Sequence, residues 1–237
     1  MAKVRFHHRY TLPALIICLI LVICGLLYAF HNYFSETSQP SGVTTATIGV
    51  RLDQDYGSVE LSQLENNGIS FVYLVSTQGR SYFDDDYLTY RSRMMSTKMA
   101  YGTIVRYSNE STASQHYRYL MKKAGRNLGS LPVLIEPAVN DHSSQYLRSM
   151  AKFVKKLQQL GKRVMVEESF QTAKYFPKKT LFMAGAKDAP NKMQYAFWRY
   201  TTNGHVKNVT NLNKGVTMYT YVGTTQQYKE RYGQLTQ

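Results

Sequence analysis

The chain has two cysteines in 237 residues, Cys18 and Cys24, and both fall inside one uncharged stretch, Leu12 to Phe30. Everything after that stretch lacks a thiol, so a disulfide framework is excluded there and the remainder must be stable through its core alone. Cysteine-free exported domains are a habit of Gram-positive surface proteins. Acidic residues are also scarce, at 15 Asp and Glu against 29 Lys and Arg. No low-complexity tract and no nucleic-acid-binding motif is present. At this length, one sizeable core with a short appendage is expected.

The one long apolar run is nineteen residues, which at about 1.5 Å rise per residue gives roughly 28 Å of helix, close to the hydrocarbon thickness of a bilayer. Lys3, Arg5 and Arg9 precede it, and no Lys or Arg appears between Tyr10 and Arg51. Cations flanking a first apolar segment favour the cytoplasmic side. The expected layout is therefore a cytoplasmic N-terminus at 1–11, a transmembrane helix at 12–30 and an extracellular remainder. A cleaved signal peptide has a shorter apolar core and a small-residue cleavage site, which is not evident after Ala29. A lipid-modified Cys24 would want a small residue where Ile23 stands.

Setting aside the three leading cations leaves 26 Lys and Arg against 15 Asp and Glu, a net charge of +11. Outside a cell, such a surface attracts polyanions: anionic wall polymers, lipid headgroups or the wall itself. The topology argues against nucleic acid as a partner.

Residues 31–46, rich in Ser and Thr with Pro40 and Gly42, read as a linker. From 47 to 237, short β-branched runs alternate with helical patterns. Strands are expected at 47–52, 70–76, 100–107, 132–136, 163–167, 180–184, 195–200 and 216–221. Leu147, Met150, Val154 and Leu157 mark an amphipathic helix between Asp141 and Gly161, with Asp141 or Ser143 as N-cap. A second apolar stripe runs from Ala113 to Ala124 and stops at Gly125. Weaker helices are expected at 84–96 and 61–67. Eight strands alternating with helices imply an α/β fold, a modified β/α (TIM-like) barrel with its binding surface at the carboxyl ends of the strands.

Several segments, in order, resemble glycoside hydrolase family 25, the muramidases. They are Ile48-Gly49-Val50-Arg51-Leu52, Gly68 to Leu74 continuing through Thr77-Gln78-Gly79, Ala100-Tyr101-Gly102, Leu131-Pro132-Val133-Leu134, and Phe197-Trp198-Arg199-Tyr200-Thr201 leading to Gly204. The resemblance implies the family's barrel and its usual target, the glycan strands of peptidoglycan.

Glycosidic cleavage needs a carboxylic acid and a second carboxylate or its equivalent. Compared with the family pattern, the first-strand aspartate falls at Arg51, the Asp-x-Glu carboxylates at Ile135 and Pro137, a third-strand histidine at Val105 and the last-strand aspartate at Thr217. On that register no catalytic residue is expected. Strand alternation turns Glu136 away from the mouth, to an exposed or salt-bridged position with Arg51 as partner. The fallback acids are Glu136, Asp53 and Glu167.

Arg51, Tyr107, Glu136, Trp198, Tyr200 and Tyr219 are the candidate ligand-binding residues, the aromatic rings as platforms for sugar faces. Asp84-Asp85-Asp86 lacks the spacing of a calcium loop and reads as a helix start. No metal and no cofactor is expected. The anticipated function is a membrane-anchored, catalytically impaired muramidase-like domain binding peptidoglycan or anionic wall polymers. The alternatives are an active hydrolase with displaced carboxylates, and a protein scaffold. An Arg51–Glu136 salt bridge that fills the groove would favour the scaffold.

Overall fold

The structure, a computed structural model, describes residues 8–33, 36–42, 46–186, 188–212 and 214–233. Lys3 and Arg5 of the basic N-terminus lie outside them. Nine strands occur in chain order: β1 (Ile48–Leu52), β2 (Ile69–Gln78), β3 (Tyr82–Phe83), β4 (Ala100–Tyr107), β5 (Val133–Pro137), β6 (Val164–Glu167), β7 (Leu181–Ala184), β8 (Phe197–Gly204) and β9 (Val216–Tyr221). Eight of them close into a ring, because β1 pairs with both β2 and β9. The ring pairings are parallel except those of β9, which runs antiparallel to β8 and β1. β3 is an addition outside the ring, hairpinned onto β2.

Among the described residues six α-helices accompany the strands: α1 (His8–Tyr33), α2 (Leu61–Asn66), α3 (Tyr87–Met94), α4 (Ala113–Lys123), α5 (Ser144–Gln159) and α6 (Thr225–Tyr232). In α5 the residues at helical spacing, Leu147, Met150, Val154 and Leu157, are all buried. Each such side chain contributes on the order of 1.5–3 kcal/mol by leaving water. Ser143 rather than Asp141 caps the helix, its Oγ accepting from the Tyr146 amide at 3.2 Å. Gly161 ends it at φ +82.

Strand alternation sorts the core into two layers. Outward residues such as Val50, Val72, Val105, Ile135 and Val166 join the helices in an outer layer. Inward residues, among them Phe71, Tyr73, Ile104, Leu134, Met165, Phe197, Tyr219 and Tyr221, fill the barrel together with Tyr228 and Tyr232 of α6. Gly49 makes this filling possible: a Cβ there would lie 2.1 Å from the Phe71 ring. Arg163 closes the bottom, its guanidinium 4.7 Å from the Tyr232 ring centre.

Among the described residues α1 is the one helix long and apolar enough to cross a membrane, through Leu12–Ala29. Within the Ser/Thr-rich stretch that follows, Ser38 is attached to the barrel. Its amide donates to the His205 carbonyl at 3.0 Å, and its own carbonyl accepts from the Tyr200 hydroxyl at 2.8 Å.

Candidate functional site

The aromatic filling stops short of the carboxyl ends of the strands. One inward position beyond the filling, the same strands present charge: Arg51 two residues after Gly49, Arg106 two after Ile104, Glu136 two after Leu134, Glu167 two after Met165, Arg199 two after Phe197. These five side chains, with Thr217, Thr202 and His142, line an open cavity of about 440 Å³. That size lies in the range of roughly 300–1,000 Å³ typical of ligand pockets. A second cavity of about 490 Å³ adjoins it, sharing His142, Glu167 and Arg199 and continuing past Glu168, Asp188 and Tyr195.

Two ion pairs cross the mouth. An Nη of Arg51 donates to Glu136 Oε2 at 3.0 Å, while its Nε reaches Asp53 Oδ2 at 3.3 Å. The other oxygen of Glu136 accepts from the Tyr219 hydroxyl at 3.1 Å. Arg199 Nε donates to Glu167 Oε1 at 2.6 Å. Gly185 leaves room for that pair, since a Cβ there would sit 2.6 Å from Arg199 and 2.8 Å from Glu167. Burial is the largest influence on the Arg51 cation and weakens it, but Glu136, Tyr219, Asp53 and Tyr56 together outweigh burial and hold its pKa above the ordinary guanidinium value. Burial, and then the nearby Glu136 charge, lift the Glu167 carboxyl above its usual range, against the pull of Arg199. Burial likewise raises Asp53.

The expected orientation of Glu136 is corrected here. Alternation holds, but its phase is the opposite: Leu134 and Glu136 face the barrel interior, while Ile135 sits in the outer layer at 0% exposure. The two inward positions spaced by two at the end of β5 are therefore Leu134 and Glu136; Ile135 lies in the outer layer, and Pro137 meets the cavity where the strand ends. On β4 the mouth position is Arg106, with Val105 behind it in the outer layer. Arg51 and Thr217 do face the cavity.

Of the aromatic candidates, Tyr219 reaches the site through its hydroxyl alone, its ring being buried. Tyr107 lies in the outer layer, stacked on His116 and bonded to Ser149 Oγ at 2.8 Å. Trp198, at 2% exposure, donates to the Ala186 carbonyl. Tyr200 holds Ser38. These three face away from the cavity because they occupy outward positions of β4 and β8. Arg106, Arg199, His142 and Glu168 were missed as candidates. Parity was the signal available for the arginines: each follows an inward apolar residue by two. His142 and the buried Glu168, 3.4 Å apart, come from loops and gave no such signal.

The Arg51–Glu136 bridge forms, yet it occupies one wall of the cavity and does not fill it. Asp84 is engaged elsewhere, as a buried acceptor for the amides of Gln54 and Asp86 at 3.0 and 3.1 Å. It thus organises the start of α3 and the turn after β1. Burial pushes its carboxyl up to about 6.

A closed ring of seven parallel strands and one antiparallel strand, with ionisable groups at its carboxyl mouth, defines the chain as a modified β/α barrel of the glycosidase type. A sequence profile of "Glycosyl hydrolases family 25" matches residues 53–209, and the chain belongs to that family. Solved structures agree on the fold. A family 25 glycosyl hydrolase from Bacillus anthracis superposes with a TM-score of 0.66 at 15% identity, covering 84% of this chain and 97% of that one. A bacterial lysozyme from Streptomyces coelicolor gives 0.65 at 17% identity, covering 81% and 99%. A muramidase from Trichobolus zukalii gives 0.61 at 15%, covering 79% and 99%. Among curated protein sequences no significant match is found.

Proposed function

We propose that this chain is a membrane-anchored, extracellular member of the family that binds peptidoglycan glycan at the barrel mouth without cleaving it efficiently. The observation that carries the reading is the set of inward residues at the mouth. Where two-carboxylate chemistry needs a free acid and a second anion, β1 offers Arg51, β5 offers Leu134 and Glu136, and β9 offers Thr217. Glu136 is held by Arg51 and Tyr219. With one oxygen bonded to Arg51 and the other to Tyr219, neither carboxylate oxygen is free to reach a leaving oxygen. Binding requires none of the missing groups. The anchor is α1, with the domain at residues 47–237 outside and the basic N-terminus inside, by the distribution of cations around the apolar run.

The test is to incubate the full-length chain in detergent micelles with purified peptidoglycan. Co-sedimentation with insoluble glycan, and no new reducing ends beside an active muramidase control, are expected. Failure to co-sediment removes the binding reading.

A second reading, a hydrolase with displaced carboxylates, is favoured by one observation: Glu167 neighbours Glu136 on the next strand and its carboxyl is raised by burial and by that neighbour's charge. Release of reducing N-acetylmuramic acid ends, abolished by both Glu136→Gln and Glu167→Gln, would establish it in place of the first.

A further inference from the structure

The three arginines of the mouth are unequally paired: Arg51 holds two carboxylates, Glu136 and Asp53, while Arg199 holds Glu167. Three arginines, Arg51, Arg106 and Arg199, face one cavity with two glutamates. Each glutamate is taken, Glu136 by Arg51 and Glu167 by Arg199. Arg106 is left over. It stands directly beside Glu136 in the β4–β5 pairing, but both oxygens of Glu136 are already engaged by Arg51 and Tyr219. Among the described residues, Arg106 has no hydrogen-bond or ion-pair partner. The other lining residues, among them Thr202, Thr217, Asn140 and His142, carry no carboxylate.

A half-buried guanidinium presents five donors and accepts nothing. A guanidinium open to solvent is satisfied by water. A saccharide entering the cavity displaces that water, and an uncharged hydroxyl or acetamide replaces only part of what is lost. An oxyanion replaces all of it, because a carboxylate or phosphate matches the guanidinium fork with two parallel charge-assisted hydrogen bonds. The cavity therefore penalises a neutral glycan and rewards one with a negative substituent. The net charge of +11 on the part following the apolar run acts in the same direction at longer range, concentrating polyanions near the mouth.

Resting on the glycan-binding reading above, we propose that the mouth selects a saccharide carrying an oxyanion, either a phosphate ester or a free carboxylate, and that Arg106 is the residue that holds it. Arg51 and Arg199 keep their glutamates and shape the cavity. Arg106 supplies the specificity.

Affinities of the full-length chain in detergent micelles for three probes test this by calorimetry at fixed ionic strength. The probes are a tetrasaccharide of alternating N-acetylglucosamine and N-acetylmuramic acid with free lactyl carboxylates, a glycerol-phosphate oligomer bearing N-acetylglucosamine, and uncharged chitotetraose. At least one anionic probe is expected to bind about tenfold or more tightly than chitotetraose. Which one it is identifies the source of the oxyanion. Arg106→Gln should bring that preference to within about threefold, and Arg106→Lys should retain an intermediate preference. Arg118→Gln, on the exposed face of α4, controls for general surface charge and should leave the preference intact. A preference unchanged in Arg106→Gln, or lost equally in Arg118→Gln, overturns the assignment to Arg106. Equal binding of charged and uncharged probes overturns the selection of an oxyanion while leaving glycan binding standing. If no probe binds, both readings fall.

Discussion

The two ends of the barrel interior are built from the same strands and the same inward parity, yet they differ in every physical respect. The lower half is a cluster of rings: Phe71 lies 5.4 Å from Phe197 and 5.7 Å from Tyr228, and Tyr73 lies 5.6 Å from Tyr219. The upper half is a set of ion pairs around an open cavity. Close-packed aromatic burial stabilises the fold and tolerates no vacancy. Charges at the mouth cost desolvation and return little net stability, so their presence speaks for ligand recognition over folding. Tyr219 sits on the boundary, ring below and hydroxyl above.

This division can be broken or sharpened by substitution. Phe197→Ala, in the centre of the ring cluster, should cost about 3–5 kcal/mol in urea unfolding, the usual penalty for a large cavity in a core. A loss below about 1 kcal/mol would mean that the lower half is not the stabilising end. Glu136→Gln leaves Arg51 with Asp53 alone and should cost less, about 1–3 kcal/mol, because Arg51 retains 22% side-chain exposure. The same variant should change saccharide binding, which Phe197→Ala, where it folds, should not. Tyr219→Phe keeps the ring and removes the hydroxyl, so about 1 kcal/mol or less should be lost, with the effect appearing in ligand binding.

Away from the cavity, at Asp84, stability should drift with pH. Asp84 is raised to about 6 in the folded chain, against about 3.9 when unfolded. Between these values the unfolded state ionises first and binds fewer protons than the folded state, so stability falls as pH rises from about 4 to about 6 and levels off above. Asp84→Asn lacks this titration. The advantage of the wild type over that variant, read from urea midpoints, should therefore shrink across the window; a gap that is constant or widens with pH would contradict the shift.

Much of this architecture was legible in the residues. All eight ring strands have counterparts in the β-branched runs, and the helices at 113–123 and 144–159 follow from apolar spacing and caps. One strand and one α-helix escaped, along with three short 3-10 turns. β3 is two residues long, too short for any period to register. α6 opens on Thr224 with Gln227 three residues on, a reciprocal cap, but its apolar face is made only of tyrosines and looks polar by composition. The site was legible in part. Arg51, Glu136 and Glu167 were named from sequence, while Trp198, Tyr200 and Tyr107 were chosen for chemistry without regard to face.

By itself the sequence determined the apolar N-terminal helix, the alternation of strand and helix, the family and the excess of cations, because each depends on composition or on a period carried locally by the chain. Only the tertiary structure decided which phase of that alternation faces inward. Barrel closure sets the phase jointly for eight strands, and a shift of one residue exchanges Ile135 for Glu136 at the mouth. It also decided which arginine is left without a carboxylate, since Arg51, Arg106 and Arg199 are equivalent as letters and differ only in which glutamate each can reach.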